Sequence, residues 1–307
     1  MGFDSNNKDE HVLTIIDQKI FDINNDGTNE VLLCLENLKG TKEENQKGRI
    51  ACFDNKGKLI WKYNFNDSIS TNNEVCPIDY QINLLNVVKE TDKKIIYAYS
   101  KNGFGFSSAV FRLDALTGKR LKGTLWHPGH FTGGIISDFN NDGKQEIVLE
   151  AINNGLERSA VMSINIENIN GAAPSTNKYE YKGYPIAKFN HYILLPKTDY
   201  TEFYNDRFNA PKLGSLTFNY QNNKFLIGVL EAPTTNVSAG IYYSLDTNLS
   251  HPKILIGDDF HMMRDALVKS GKLNPPLTNT KEYENILLNQ FEEWNAKTGK
   301  FEKMIKR

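Results

Sequence analysis

FDINNDGTNEVLL, residues 21–33, places Asp22, Asn24, Asp26 and Glu30 at positions 1, 3, 5 and 9 of a loop with Gly27 at position 6. An apolar run follows at once. Residues 137–151, SDFNNDGKQEIVLEA, repeat the spacing with Asp138, Asn140, Asp142, Gly143 and Glu146. Oxygens at alternate positions of a tight loop point to its inside, and the glycine supplies the backbone geometry that a sharp turn needs. Each copy therefore reads as a polar turn leading into a buried strand.

Working outward, the chain reads as short strands with hardly a helix. HVLTIIDQKIF, NEVLLCL, GRIACFD and KLIWKYNF fill residues 11–65, each rich in Val, Ile, Leu and aromatics and separated by Asn, Asp, Gly and Lys clusters. The four-strand unit recurs in INLLNVV, KKIIYAYS, SAVFRLDA and KRLKGTLW, and in FTGGIISDF, QEIVLEAI, SAVMSINIE and KYEYKGY. LGSLTFNY, KFLIGVLEA, GIYYSLD and PKILIGDDF make a fourth set. Asp54 with Gly57, and Asp114 with Gly118, mark hairpin turns between the third and fourth strands of two units. A four-stranded antiparallel sheet cannot bury both faces alone, and stacking such sheets around an axis makes a β-propeller.

The expectation is an all-β fold, one β-propeller domain over residues 11–307 with about five four-stranded blades, four to seven fitting the uneven spacing. Residues 195–212 read as an insertion. DFHMMRDALVKSGKL, 259–273, has helical spacing of Met262, Ala266, Leu267 and Leu273 and reads as a short surface helix near 260–272. The tail ENILLNQFEEWNAKTGKFEKMIK reads as a closing pair of strands, to which the run 11–20 would pair and so remove an exposed edge. Residues 1–10 read as a disordered or artificially joined lead-in, with no signal-peptide character.

In each loop three carboxylates, an amide oxygen and a carbonyl at about position 7, Thr28 or Lys144, make a cage for a hard cation. By ligand type and count that cation is Ca²⁺. An EF-hand is excluded, because position 12 is Leu33 or Leu149 instead of a bidentate Glu and the flanks are β-rich. The alternative is a metal-free Asn/Asp-Gly turn; a second copy with its Glu also in place weighs against it. The metal set is thus Asp22, Asn24, Asp26, Thr28 and Glu30, with Asp138, Asn140, Asp142, Lys144 and Glu146, and two structural Ca²⁺ ions are expected.

These residues resemble the FG-GAP and VCBS repeats of integrin-like β-propellers, in which a D-x-[DN]-x-D-G-x-x-[DE] loop joins the first two strands of a blade. The motif covers two blades directly. VVKETDKKIIYAY, 87–99, and FNYQNNKFLIGVL, 218–230, align in hydrophobicity but lack the acidic set, and the letters FG-GAP are absent, which makes this a divergent member. The resemblance implies an extracytoplasmic location, periplasmic or cell surface, with any signal or anchor outside this segment. It implies a non-catalytic, calcium-stabilised module that binds a protein or glycan ligand. The alternative is a polysaccharide lyase or glycoside hydrolase on a propeller scaffold.

A net charge of -1 gives no reason to expect nucleic acid as partner, and no stretch approaches the roughly 20 apolar residues of a membrane span. Cys34, Cys52 and Cys76 have no metal-site spacing; Cys34 and Cys52 sit in apolar runs as core residues. WHPGHF, 126–131, sets His127 and His130 around a turn, and these are candidate ligand-binding residues, with a packed connection as the alternative. The loops ENLKGTKEENQKG, SKNGFGFSS, AINNGLERS and APTTNVSAG are long and polar, where propellers usually bind partners. Asp258 and Asp259 beside His261 read as a helix cap. No nucleophile elbow, phosphate loop, dinucleotide fingerprint or H-E-x-x-H is present.

Overall fold

The computed structural model describes residues 13–37, 48–90, 92–103 and 105–304; the lead-in at 1–10 and most of the loop 36–48 lie outside them. The chain divides into two compact units, Met1–Ser70 with Glu74–Thr124, and Thr71–Asn73 with Leu125–Arg307.

In the first unit, β1 (Leu13–Phe21), β2 (Glu30–Asn37), β3 (Arg49–Phe53) and β4 (Leu59–Asn64) pair antiparallel in chain order. β5 (Tyr80–Glu90), β6 (Lys93–Asn102), β7 (Ser108–Asp114) and β8 (Arg120–His127) do the same, and β8 carries the chain into the second unit. The turns form where the Asp and Gly residues set them. Asp54 Oδ1 accepts the Lys56 and Lys58 N–H at 2.9 and 2.8 Å, and Asp114 Oδ1 accepts Thr117 N–H at 2.9 Å. Gly57 and Gly118 then take φ of 80° and 66°, left-handed values that side chains resist. Gly118 has a second reason to be glycine: a Cβ there would stand 2.5 Å from Cε3 of Trp61. Trp61 is held in turn by its indole N–H, which donates to Ala115 O at 3.0 Å. Phe65 packs at 4.8 Å ring-centroid separation from both Tyr80 and Phe111, and the Arg120 guanidinium covers Phe111 at 4.6 Å. Cys34 and Cys52 are buried free thiols, as their apolar settings predict, and Cys76 is another. Burial pushes the Cys52 thiol up to about 12, so it is chemically quiet.

In the second unit, β9 (Phe131–Ser137), β10 (Glu146–Asn153) and β11 (Arg158–Asn165) come first. Then follow β12 (Gly171–Ala172), β13 (His191–Leu194), α1 (Asp199–Phe203), β14 (Ala210–Pro211), β15 (Thr217–Asn219), β16 (Lys224–Glu231), β17 (Ala239–Asp246) and β18 (Lys253–Ile256). The chain closes with α2 (Asp258–Lys269), α3 (Lys281–Leu288), β19 (Glu292–Asn295) and β20 (Lys300–Lys303). One sheet has the order β20-β19-β13-β11-β10-β9; another runs β14-β16-β17-β18 with β15 also on β16. β12 pairs parallel with Leu125–Trp126 of β8. One buried cluster joins both sheets and the helices, with Val148, Val161, Ile193, Phe225, Ile227, Ile241, Phe260 and Tyr283 among its members.

The protein is therefore mostly β, built on antiparallel sheets of four to six strands, none of which closes on itself. Three details differ from the sequence expectation. KYEYKGY is not a strand: it holds a 3-10 turn at Asn177–Tyr179, and β13 supplies the next strand of that sheet. Its alternating tyrosines mark burial instead of a ladder, with Tyr181 set 5.9 Å from Trp126. The tail begins as α3, whose N-cap Thr280 accepts the Tyr283 N–H at 3.2 Å, before the β19–β20 hairpin.

That hairpin does not pair with β1; β19 joins β13, and β1 is paired with β2. Side chains explain the choice. Arg158 meets Glu292 at 2.5 Å, His191 Nδ1 meets Glu293 at 2.7 Å, and Phe301 packs on Tyr192 at 5.8 Å. The helix expected near 260–272 forms at 258–269, at the surface, with one face anchored in the core. Phe260, Arg264 and Leu267 face inward and Met262 is 66% exposed. Arg264 donates to both oxygens of Asp199 at 2.9 and 2.8 Å and lies 4.2 Å from the Tyr283 ring.

Candidate functional site

The two acidic loops occupy equivalent places. Each joins the first two strands of a sheet, β1 to β2 and β9 to β10, and in each the position-9 Glu is the first residue of the second strand. Phe21 pairs with Glu30 in the first, and Ser137 with Glu146 in the second. The hairpins expected to have lost the acidic set, β5–β6 and β15–β16, fall at the corresponding places in the other two sheets.

Their internal geometry repeats as well. Asp22 Oδ2 accepts Gly27 N–H at 3.1 Å, as Asp138 Oδ2 accepts Gly143 N–H at 2.9 Å. The Asn24 and Asn140 side-chain oxygens accept Asp26 and Asp142 N–H, both at 2.9 Å. Asp26 and Asp142 accept the following position-7 N–H at 2.7 and 2.8 Å. Glu30 and Glu146 turn back to accept Ile23 and Phe139 N–H at 2.8 and 3.2 Å. Asn25 and Asn141 adopt φ of 63° and 59°, and Gly27 and Gly143 share 83°. The local pattern, Asx turns plus glycine, dictates this shape in both units.

Electrostatics separates them. Glu146 is pushed above the usual carboxylate range chiefly by desolvation, with Asp142 and Asp138 adding to the rise and the Phe139 N–H working against it. Asp22 lies below the range: desolvation would raise it, but hydrogen bonds from Gly27 and Asn25 and the Lys94 charge outweigh that. Lys94 Nζ donates to Asp22 O and stands 3.9 Å from its Oδ1, so the first loop carries a cation of its own.

The donor types fit Ca²⁺. A carboxylate oxygen that accepts one N–H keeps a second lone-pair direction for a metal, and a divalent ion would offset the charge that Asp142 and Asp138 set against Glu146. Thr28 and Lys144 would contribute their backbone carbonyls. Among the described residues, no group of three or more His, Cys, Asp or Glu side chains stands drawn together as a metal cluster. In both loops the carboxylates rest on backbone N–H groups.

The second loop opens onto a cavity of about 260 Å³ that no sequence pattern announces. Asn140, Asp142 and Glu146 line it from the loop, Phe139 and Val148 give it an apolar floor, and Ser163, Asn165, Asn190, His191, Thr247 and Asn248 complete it.

The other sequence candidates lie elsewhere. His127 is fully buried, with Nδ1 3.2 Å from Gly129 O and Nε2 2.9 Å from the Tyr192 hydroxyl. Burial drives it down to about 3, so it is a neutral ring in the core at ordinary pH. His130 is half-buried at the start of β9. The AINNGLERS loop is tied by Asn153, whose amide donates to Pro174 O at 2.9 Å and Tyr192 Oη at 2.8 Å. The APTTNVSAG loop is held by Asp206, which accepts the Thr234 N–H and hydroxyl, both at 2.8 Å. Asp258 and Asp259 do not cap α2: its N-cap is Gly257 without a side-chain bond, both acids lie in the first turn, and Asp259 accepts Phe260 N–H at 2.8 Å and Gly240 N–H at 3.1 Å.

Compared with known proteins, the chain matches no family model and no curated protein. No helix among the described residues is long and apolar enough to cross a membrane.

Proposed function

We propose that the protein is a non-catalytic, calcium-stabilised ligand-binding module of the FG-GAP/VCBS propeller kind, with its four sheets acting as blades and its working place outside the cytoplasm. The observation that carries this reading is the repeated loop. Two segments more than a hundred residues apart adopt one hydrogen-bond pattern, at one place in the strand order, around one set of calcium-type donors. A turn needs an Asx residue and a glycine; it does not need carboxylates at positions 1, 5 and 9 as well. External calcium is millimolar, which fills even modest extracellular sites.

The chemistry expected of the ion is structural. It would neutralise the crowded carboxylates and hold each loop against the strand that follows. The test is metal analysis of the untreated protein, paired with thermal unfolding in excess EDTA and in added Ca²⁺. About two calcium ions per chain and a clear upward shift support the reading. No bound metal and no shift would leave the loops as turns and remove the ground for the family resemblance.

A further inference from the structure

We infer that Lys94 sets the calcium affinity of the first acidic loop below that of the second, so that the two sites fill at different calcium levels. This rests on the calcium reading above and adds how its sites are graded. The loops share one sequence spacing and one hydrogen-bond pattern. A difference in affinity must therefore come from what the fold sets beside each of them.

Both neighbours come from the hairpins that lack the acidic set. Lys94 is the second residue of β6, and Phe225 is the second residue of β16. At the first loop, Lys94 Nζ donates to Asp22 O and stands 3.9 Å from Asp22 Oδ1. Its side chain is only 11% exposed, and the ammonium lies 5.2 Å from the centre of the Phe21 ring. Burial of the stem and the ring beside the charge hold the cation at the position-1 carboxylate. At the second loop the same strand position brings an apolar ring: Phe225 packs on Phe139, the residue after Asp138, at 4.9 Å. Among the described residues no Lys, Arg or His forms an ion pair with Asp138, Asp142 or Glu146, and Lys144 is exposed.

Calcium affinity follows the charge that the ligands present. In the second loop all three carboxylates present theirs in full. In the first, an ammonium already balances part of the charge on Asp22, and a Ca²⁺ ion bound there would meet a like charge close by. Falling calcium therefore empties the first loop before the second. The empty first loop keeps a counter-ion and its tie to β6, while the empty second loop keeps neither, so calcium matters more to the shape of the second.

The experiment titrates the full chain, stripped of metal, with CaCl₂ at low ionic strength, where screening is weakest. The Gly27 and Gly143 amides are followed by ¹⁵N NMR; each donates to the position-1 Asp of its own loop and so reports that loop alone. The expected result is a Gly143 midpoint at lower calcium than the Gly27 midpoint. Lys94→Met should lower the Gly27 midpoint about two- to fivefold and leave Gly143 unmoved, while Lys94→Arg, which keeps the charge, should stay near wild type. The order of the wild-type midpoints tests the proposal without any variant. It is overturned if Gly27 responds with or before Gly143, if Lys94→Met leaves the Gly27 midpoint in place or moves both alike, or if Lys94→Arg behaves as Lys94→Met. No response of either amide at millimolar calcium removes the calcium reading and this proposal together, whereas responses at both loops with equal midpoints overturn this proposal alone.

Discussion

Asp142→Asn separates the two jobs that an acidic loop can do. In the structure Asp142 Oδ1 accepts Lys144 N–H at 2.8 Å, and its other oxygen faces the Asn140 amide at 3.1 Å. Asparagine keeps the first contact through its own Oδ1. It loses the second, an exposed hydrogen bond whose partner can turn instead to Glu146, 3.3 Å away. The metal-free cost is therefore about 0.5 kcal/mol, at the low end for a net hydrogen bond. The charge is what changes, and calcium affinity follows the count of ligand charges. Ligand linkage stabilises the wild type by about 2.7 kcal/mol when calcium stands at a hundred times its dissociation constant. For a folding unit of 150–250 residues, that moves the melting temperature by about 5–10 °C. Scanning calorimetry in EDTA and in calcium checks this: wild type and variant should melt within about 1–2 °C of one another in EDTA, and only the wild type should rise fully in calcium. An equal calcium shift in the variant would refute the assignment of Asp142 as a ligand. A drop in EDTA as large as the drop in calcium would show that the carboxylate serves the turn alone.

Three further outcomes are expected. Lys94→Met should tighten calcium at the first loop about two- to fivefold, the equivalent of a weak ion pair such as the 3.9 Å contact to Asp22, and isothermal titration calorimetry would show no such change at the second. Glu150 is buried on β10, with one oxygen lacking any partner and the other 3.3 Å from the Ser215 hydroxyl, and desolvation raises it to about 7. Between its unfolded value of 4.5 and about 7 the folded state holds a proton that the unfolded state has released, so stability falls as pH rises through that window. Glu150→Gln should be more stable than wild type at pH 8, by on the order of 3 kcal/mol, with no such gain at pH 4 in urea unfolding; equal differences at both pH values would contradict the burial argument. Gly118→Ala should cost more than the about 1–2 kcal/mol of a left-handed residue, because its Cβ meets Trp61 at 2.5 Å; the extra part should vanish in a Trp61→Leu background, as a double-mutant cycle in urea would measure.

Much of the β-architecture is legible locally. The turns at Asp54–Gly57 and Asp114–Gly118, and the two acidic loops, are encoded by a few adjacent residues whose side chains bond their own backbone. No distant contact is needed to specify them, and they form where the spacing places them. The first three strands of the first three sheets follow for a similar reason, since each is an apolar run bounded by turn chemistry. KYEYKGY and the C-terminal tail were not legible. An alternating tyrosine pattern looks the same whether it faces a ladder partner or Trp126, and NILL suits either a strand or the helix that Thr280 caps.

The partner of the tail depends on Arg158, Tyr192 and His191, all more than a hundred residues from the groups that they meet. The cavity beside the second acidic loop is the extreme case. Its lining comes from five residues within 139–148 and from pairs near 164, 190 and 247, and its coherence lies only in the register of β10, β11 and β13 and in the turn facing them. Spacing along a chain can specify a loop whose ligands are neighbours in sequence. A cavity between packed sheets belongs to residues that become neighbours only when the chain has folded.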